Sequence, residues 1–68
     1  MNIGATLKEL RKQANITQQS LSEKLCIAVR TLQCYEQGVR EPSLEMLIKI
    51  ADTLNVSTDQ LLGRNIQE

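Results

Sequence analysis

Between residues 28 and 34 the chain places groups that can recognise another molecule rather than make or break bonds. In a helix, Val29, Arg30, Gln33 and Cys34 share one side, with Thr31 at its edge. A guanidinium such as that of Arg30 can pair in a fork with O6 and N7 of guanine. The Gln33 amide can reach an adenine edge or a phosphate, and Thr31 can contact a phosphate. Ala28 and Val29 can touch a thymine methyl. Cys34 reads as a small apolar contact, since no adjacent Lys or His would activate its thiol. Catalytic chemistry lacks its parts. The sequence has no His, no glycine-rich phosphate loop and no paired carboxylates in a plausible pocket, so it does not read as an enzyme. Cys26 and Cys34 are too few and too poorly spaced to hold zinc. No metal, cofactor or small-molecule ligand is expected.

These side chains need two short helices to carry them. Leu21 and Leu25 lie four residues apart, and Leu32 and Tyr35 three apart, so each pair points inward. Cys26, Ile27 and Ala28 join the two, and Gly38 ends the second. This is the layout of a helix-turn-helix over residues 17–38, whose second helix can enter a DNA major groove.

The flanking elements are helical as well. Ile3, Leu7, Leu10 and Ala14 form one apolar stripe over residues 3–14. Asn15 tolerates the left-handed conformation wanted at a helix end. Thr17 is an N-cap, with a hydrophobic staple between Ile16 and Leu21. The recognition helix spans about 28–36, and 39–42 is a loop. Pro42-Ser43 opens a fourth helix to about Leu54, with Leu44, Leu47, Ile48, Ala51 and Leu54 facing inward. Asn55 ends it. Ser57 and Gln60 make a capping box, and Val56 and Leu61 a second staple, for a short fifth helix at 58–62 that stops at Gly63. The tail is polar apart from Ile66.

A chain of 68 residues is one small domain, 1–68, that buries only about 60% of its unfolded surface. Such a domain gains from dimerisation or a bound partner. Tyr35 is its one aromatic residue, so the core is aliphatic and the class all-α. No run of about 18 apolar residues exists for a membrane helix, and no secretory signal opens the chain. A cytoplasmic protein with reduced thiols is therefore expected. Net charge is zero, but it is divided. Residues 8–40 carry Lys8, Arg11, Lys12, Lys24, Arg30 and Arg40 against Glu9, Glu23 and Glu36. Residues 41–68 carry Lys49 and Arg64 against Glu41, Glu45, Asp52, Asp59 and Glu68. The halves are thus +3 and −3, a distribution compatible with DNA on one side.

The segments LKELRKQANITQQSLSEKL and TLQCYEQGVREPSLEMLIKIADTLNVSTDQLL, in this order and spacing, resemble the phage-repressor/Cro-like (XRE) helix-turn-helix family over residues 7–62. The resemblance implies a compact five-helix domain that binds operator DNA as a two-fold homodimer and regulates transcription, most commonly by repression. It implies that Gln18 donates to a phosphate, with Gln19 beside it, and that Gln37 and Arg40 contact the DNA backbone from the loop after the recognition helix. It also sets Arg11 against Glu36 as a structural pair. Leu61, Leu62 and Ile66 form either a dimer face or the closure of the domain's own core. The alternative function is a protein-interaction module, such as the antitoxin half of a toxin pair, which the acidic half would suit. Three positions depart from the family pattern: Ser22 for Ala, Cys26 for Gly, and Ala28 for a polar N-cap. A left-handed Cys26 would cost about 1–2 kcal/mol. The missing cap at Ala28 would cost about 1 kcal/mol.

Overall fold

The computed structural model describes residues 3–63. Among them are five helices and no strand: α1 (Ile3–Gln13), α2 (Gln18–Leu25), α3 (Val29–Gln37), α4 (Leu44–Leu54) and α5 (Thr58–Leu61). Their bounds follow from capping chemistry. Thr17 Oγ1 accepts the Ser20 N–H at 3.0 Å and opens α2. Ser43 Oγ accepts the Met46 N–H at 3.1 Å and opens α4. At α5 the capping box is reciprocal: Ser57 Oγ accepts the Gln60 N–H, and Gln60 Oε1 accepts the Ser57 N–H, each at 3.0 Å. These bonds satisfy donors that a first helical turn leaves without a partner.

Four helices end on a left-handed residue: Asn15, Cys26, Gly38 and Asn55. At each, an N–H just past the end turns back to a carbonyl of the last turn. Examples are Ile16 N–H to Arg11 O at 3.2 Å and Ile27 N–H to Ser22 O at 3.0 Å. Asn pays little for this conformation and Gly nothing, whereas Cys26, at φ 60°, sets its Cβ against the following carbonyl. At the start of α3, Ala28 stands in the N-cap position and supplies no side-chain bond. Ser22 is buried, and its hydroxyl donates to Gln19 O at 2.8 Å. A buried hydroxyl is tolerated where the helices pack closely because it is satisfied within its own helix.

The core is Leu7, Leu21, Leu25, Leu32, Tyr35, Ile50, Ala51, Leu54 and Leu61, edged by Leu10, Ile16, Ile27, Met46, Leu47 and Val56. Three expectations are corrected. Ala14 lies beyond the end of α1 and is exposed. On α4, Leu44 is 72% and Ile48 46% exposed, while Ile50 is fully buried. The packed stripe is Leu47, Ile50, Ala51 and Leu54, because α4 meets α2 and α5 along that line and is more apolar around its circumference than a small domain can cover. Leu61, considered above for a dimer face, is fully buried against the domain's own core, since α5 packs on both α1 and α4. Leu62 is half-buried, and Ile66 lies outside the described residues.

Two long-range contacts fix helix placement. Lys49 Nζ donates to Leu25 O at 3.0 Å and so ties α4 to the end of α2. Gly4 lets α1 lie directly on the last turn of α3. A Cβ there would fall 2.5 Å from Tyr35 O and 2.6 Å from Glu36 O. Backbone atoms cannot swing aside as a side-chain tip can.

Two substitutions should therefore move stability in opposite directions. Gly4→Ala should cost about 1–3 kcal/mol, the usual penalty of overpacking. Cys26→Gly should add up to about 1–2 kcal/mol by removing the left-handed Cβ clash. Urea denaturation of the parent and both variants checks the pair. An unchanged midpoint for Gly4→Ala would show that α1 and α3 are free to separate.

Candidate nucleic-acid interface

Glu36, on the last turn of α3, is buried, and its carboxylate needs partners from other helices. Arg11 supplies the charge. Its Nε donates to Glu36 Oε2 at 2.7 Å and its Nη2 to Oε1 at 3.4 Å. Arg11 Nη1 also donates to Ile16 O at 2.8 Å, which holds the chain between α1 and α2. Gln18, the first residue of α2, donates from Nε2 to Glu36 Oε1 at 2.9 Å. Its own Oε1 accepts from Gln33 Nε2 at 3.3 Å. One connected network thus joins α1, the α1–α2 connection, the start of α2 and the outer side of α3. Among the described residues, no buried side-chain polar atom is left without a partner.

The structure brings Gln18 and Gln33 together, and Arg11 and Glu36. Around them, Gln19, Ala28, Arg30, Gln37 and Arg40 are exposed, Val29 is 38% exposed, and Thr31 and Cys34 are half-buried. Arg30 extends, exposed, from the first turn of α3, with no partner among the described residues. The loop that carries Arg40 is anchored to α3. Val39 N–H and Arg40 N–H both donate to Cys34 O, at 3.0 and 3.3 Å, and Gly38 N–H donates to Tyr35 O at 3.2 Å. Cys34 thus contributes through its carbonyl as well as its side chain. Both cysteines are free thiols. Among the described residues, no three acidic, Cys or His side chains cluster as a metal site would require, and no helix is long and apolar enough to cross a membrane.

Sequence reasoning did not find the Gln18–Glu36 and Gln18–Gln33 bonds. They bridge 18 and 15 residues, and no local periodicity marks such a pair. It also missed Gly4, whose role follows from what lies across from it rather than from its neighbours in the chain.

The five-helix arrangement and this network can be set beside known proteins. A helix-turn-helix family model matches residues 7–61. The chain belongs to the helix-turn-helix family. The HTH-type transcriptional regulator ImmR of Bacillus subtilis is 43% identical over 65 residues, covering 96% of this chain and 51% of ImmR. The cryptic phage CTXphi transcriptional repressor RstR of Vibrio cholerae is 39% identical over 64 residues, covering 94% of this chain and 57% of RstR. The chain therefore spans about half the length of these curated relatives. Among solved structures, SinR, a master regulator of biofilm formation crystallised in complex with DNA, superposes with a TM-score of 0.81 at 33% identity. The match covers 88% of this chain and 97% of that one. The restriction-modification controller protein C.AhdI of Aeromonas hydrophila superposes with a TM-score of 0.83 at 27% identity, covering 88% and 91%.

In this helix-turn-helix domain the buried pair holds geometry, and its removal should be costly in a particular way. Arg11→Met leaves a buried carboxylate without its cation and should destabilise by about 3–5 kcal/mol. Arg11→Met with Glu36→Leu replaces both partners by apolar groups and should recover most of that loss. Thermal and chemical denaturation of the single and double variants measures the difference. A double variant no more stable than the single one would mean that the pair itself is strongly net stabilising.

Proposed function

We propose that this domain binds operator DNA sequence-selectively, as a two-fold dimer, and regulates transcription as a repressor. The observation that carries this reading is the bond between Gln18 and Gln33 at 3.3 Å. It sets the N-terminus of α2 beside the outer side of α3, so a single DNA duplex can meet both. In such an arrangement α3 lies in the major groove. The free N–H groups at the start of α2, with Gln18 and Gln19, face a phosphate. Arg30 reads a guanine edge, Ala28 and Val29 meet thymine methyls, and Gln33 reads an adenine edge. Thr31, Cys34, Gln37 and Arg40 line the groove walls and the backbone. The likeness to SinR, solved on DNA, and to relatives named as regulators and a phage repressor supports the same reading.

A single short helix reads few bases, so two copies give a selective site. Two-fold symmetry sets the recognition helices about 34 Å apart, one turn of DNA. Leu61 is committed to the core, so it does not supply the contact between copies.

Selection from random duplex DNA tests this directly. The expected result is a symmetric motif with half-sites one turn apart. An asymmetric single half-site with one protein per duplex would overturn the dimer, and no enrichment would overturn the function. On the selected duplex, Arg30→Ala should cost about 1–3 kcal/mol and relax one base position per half-site. Arg40→Ala should weaken all duplexes alike and reduce the salt dependence by about one charge. If Arg30→Ala instead behaves like Arg40→Ala, Arg30 is a backbone contact.

A further inference from the structure

Tyr35 is only 7% exposed, and its ring belongs to the core. Its hydroxyl stands apart. Among the described residues that hydroxyl has no hydrogen-bond partner, yet no buried side-chain polar atom there is left unpaired. The hydroxyl is therefore the part of Tyr35 that reaches open space. Tyr35 borders such a space, a cavity of about 380 Å³ between the start of α1, the end of α3 and the loop that follows. Gln37 and Arg40 line the same cavity, and Glu41 is the one acid in its walls. Gly38 leaves this side open, since a Cβ there would meet nothing within 4 Å. Arg40 and Glu41 cancel in charge, so hydrogen bonding decides what enters. Phenol, amide and guanidinium all offer O–H or N–H donors. Three kinds of donor around one cavity suit a ligand with one charge and several acceptor oxygens, which a phosphodiester provides. A Tyr hydroxyl at the edge of a core ordinarily has a partner, and this cavity is where one can reach it.

We infer that the Tyr35 hydroxyl donates to a phosphate of the DNA backbone, in the cavity that Gln37 and Arg40 also line, so that a residue of the core is at the same time a DNA contact. This rests on the DNA-binding reading above, which sets Gln37 and Arg40 along that backbone. Phosphates look alike at every sequence, so the contact adds affinity and register but no base preference. The buried ring fixes the donor before DNA arrives, whereas the exposed Arg40 side chain has to be ordered on binding.

The experiment uses the whole 68-residue chain. Parent, Tyr35→Phe and Arg40→Ala are titrated against the duplex selected from random DNA and its single-base variants, at several salt concentrations. Tyr35→Phe should weaken binding to every duplex by about tenfold, the effect of one hydrogen bond to a charged group, and keep the order of preference. A hydroxyl carries no charge, so the salt dependence should stay that of the parent, while Arg40→Ala reduces it by about one charge. Duplexes with one phosphate per half-site made neutral as a methylphosphonate locate the contact. At one position that change should cost the parent about tenfold more than it costs Tyr35→Phe. Urea denaturation of the free proteins should give Tyr35→Phe the midpoint of the parent, because the hydroxyl has no partner within the described fold. If Tyr35→Phe binds every duplex as the parent does, or if no methylphosphonate position separates the two, the inference fails. A lowered midpoint overturns it as well, since the hydroxyl then serves the fold. A parent that binds no duplex overturns the DNA reading itself, an outcome visible before any substitution is made.

Discussion

A carboxylate taken out of water has to be matched on every side, and that requirement organises this domain. Glu36 meets it with Arg11 from α1 and Gln18 from α2, while Arg11 also binds Ile16 O. Three helices and one connection thereby become parts of a single hydrogen-bonded unit. Such an arrangement contributes little net energy compared with apolar packing of the same volume. What it contributes is angle. A rotation of α3 large enough to break these bonds would leave the buried Glu36 carboxylate unpaired, which is expensive.

The apolar core sets the distances that this unit needs. Six of its nine buried residues are Leu, and Tyr35 is its single aromatic ring. Leu side chains tolerate small rotations, so a core of this kind holds helices together better than it orients them. Close approach adds what Leu does not. At Gly4 the backbone of α1 lies where any Cβ would strike the last carbonyls of α3. Lys49 does the corresponding task for α2 and α4 by filling an orphan carbonyl at a helix end. The domain also carries local costs, in the left-handed Cys26 and the uncapped start at Ala28, and both lie in the turn leading into α3. The flanking contacts have to impose this turn, because its residues do not favour it.

Held side chains and free ones divide the outer surface. Gln18 and Gln33 are tied into the network, whereas Arg30 and Arg40 extend from firmly anchored backbone. Held amides suit a task that depends on which atom faces outward. Free guanidiniums suit one that needs reach and charge. The loop that carries Arg40 shows how backbone order and side-chain freedom combine: two N–H groups on one carbonyl fix where the residue starts, and no described residue bonds its exposed head.

Much of this was legible from the residues alone. Apolar spacing located four of the helices, and a capping box with its staple located the fifth. Thr17, Ser43 and Ser57 marked three starts, while Asn15, Gly38 and Asn55 marked three ends, because caps and periodic stripes depend only on neighbours a turn or less away. Local spacing misled where it had too many answers. On α4 the residues Leu44 and Ile48 fit an inward stripe as well as Leu47 and Ile50 do, and only the positions of α2 and α5 decided which set is covered. The same holds for Leu61, whose burial depends on where α5 docks. The sequence by itself determined the elements, their order and the family resemblance, since each rests on short-range pattern. The tertiary structure alone decided which amide faces which carboxylate, why residue 4 is Gly and which leucines are hidden. Those facts depend on atoms that are distant in the chain and meet only when the helices pack.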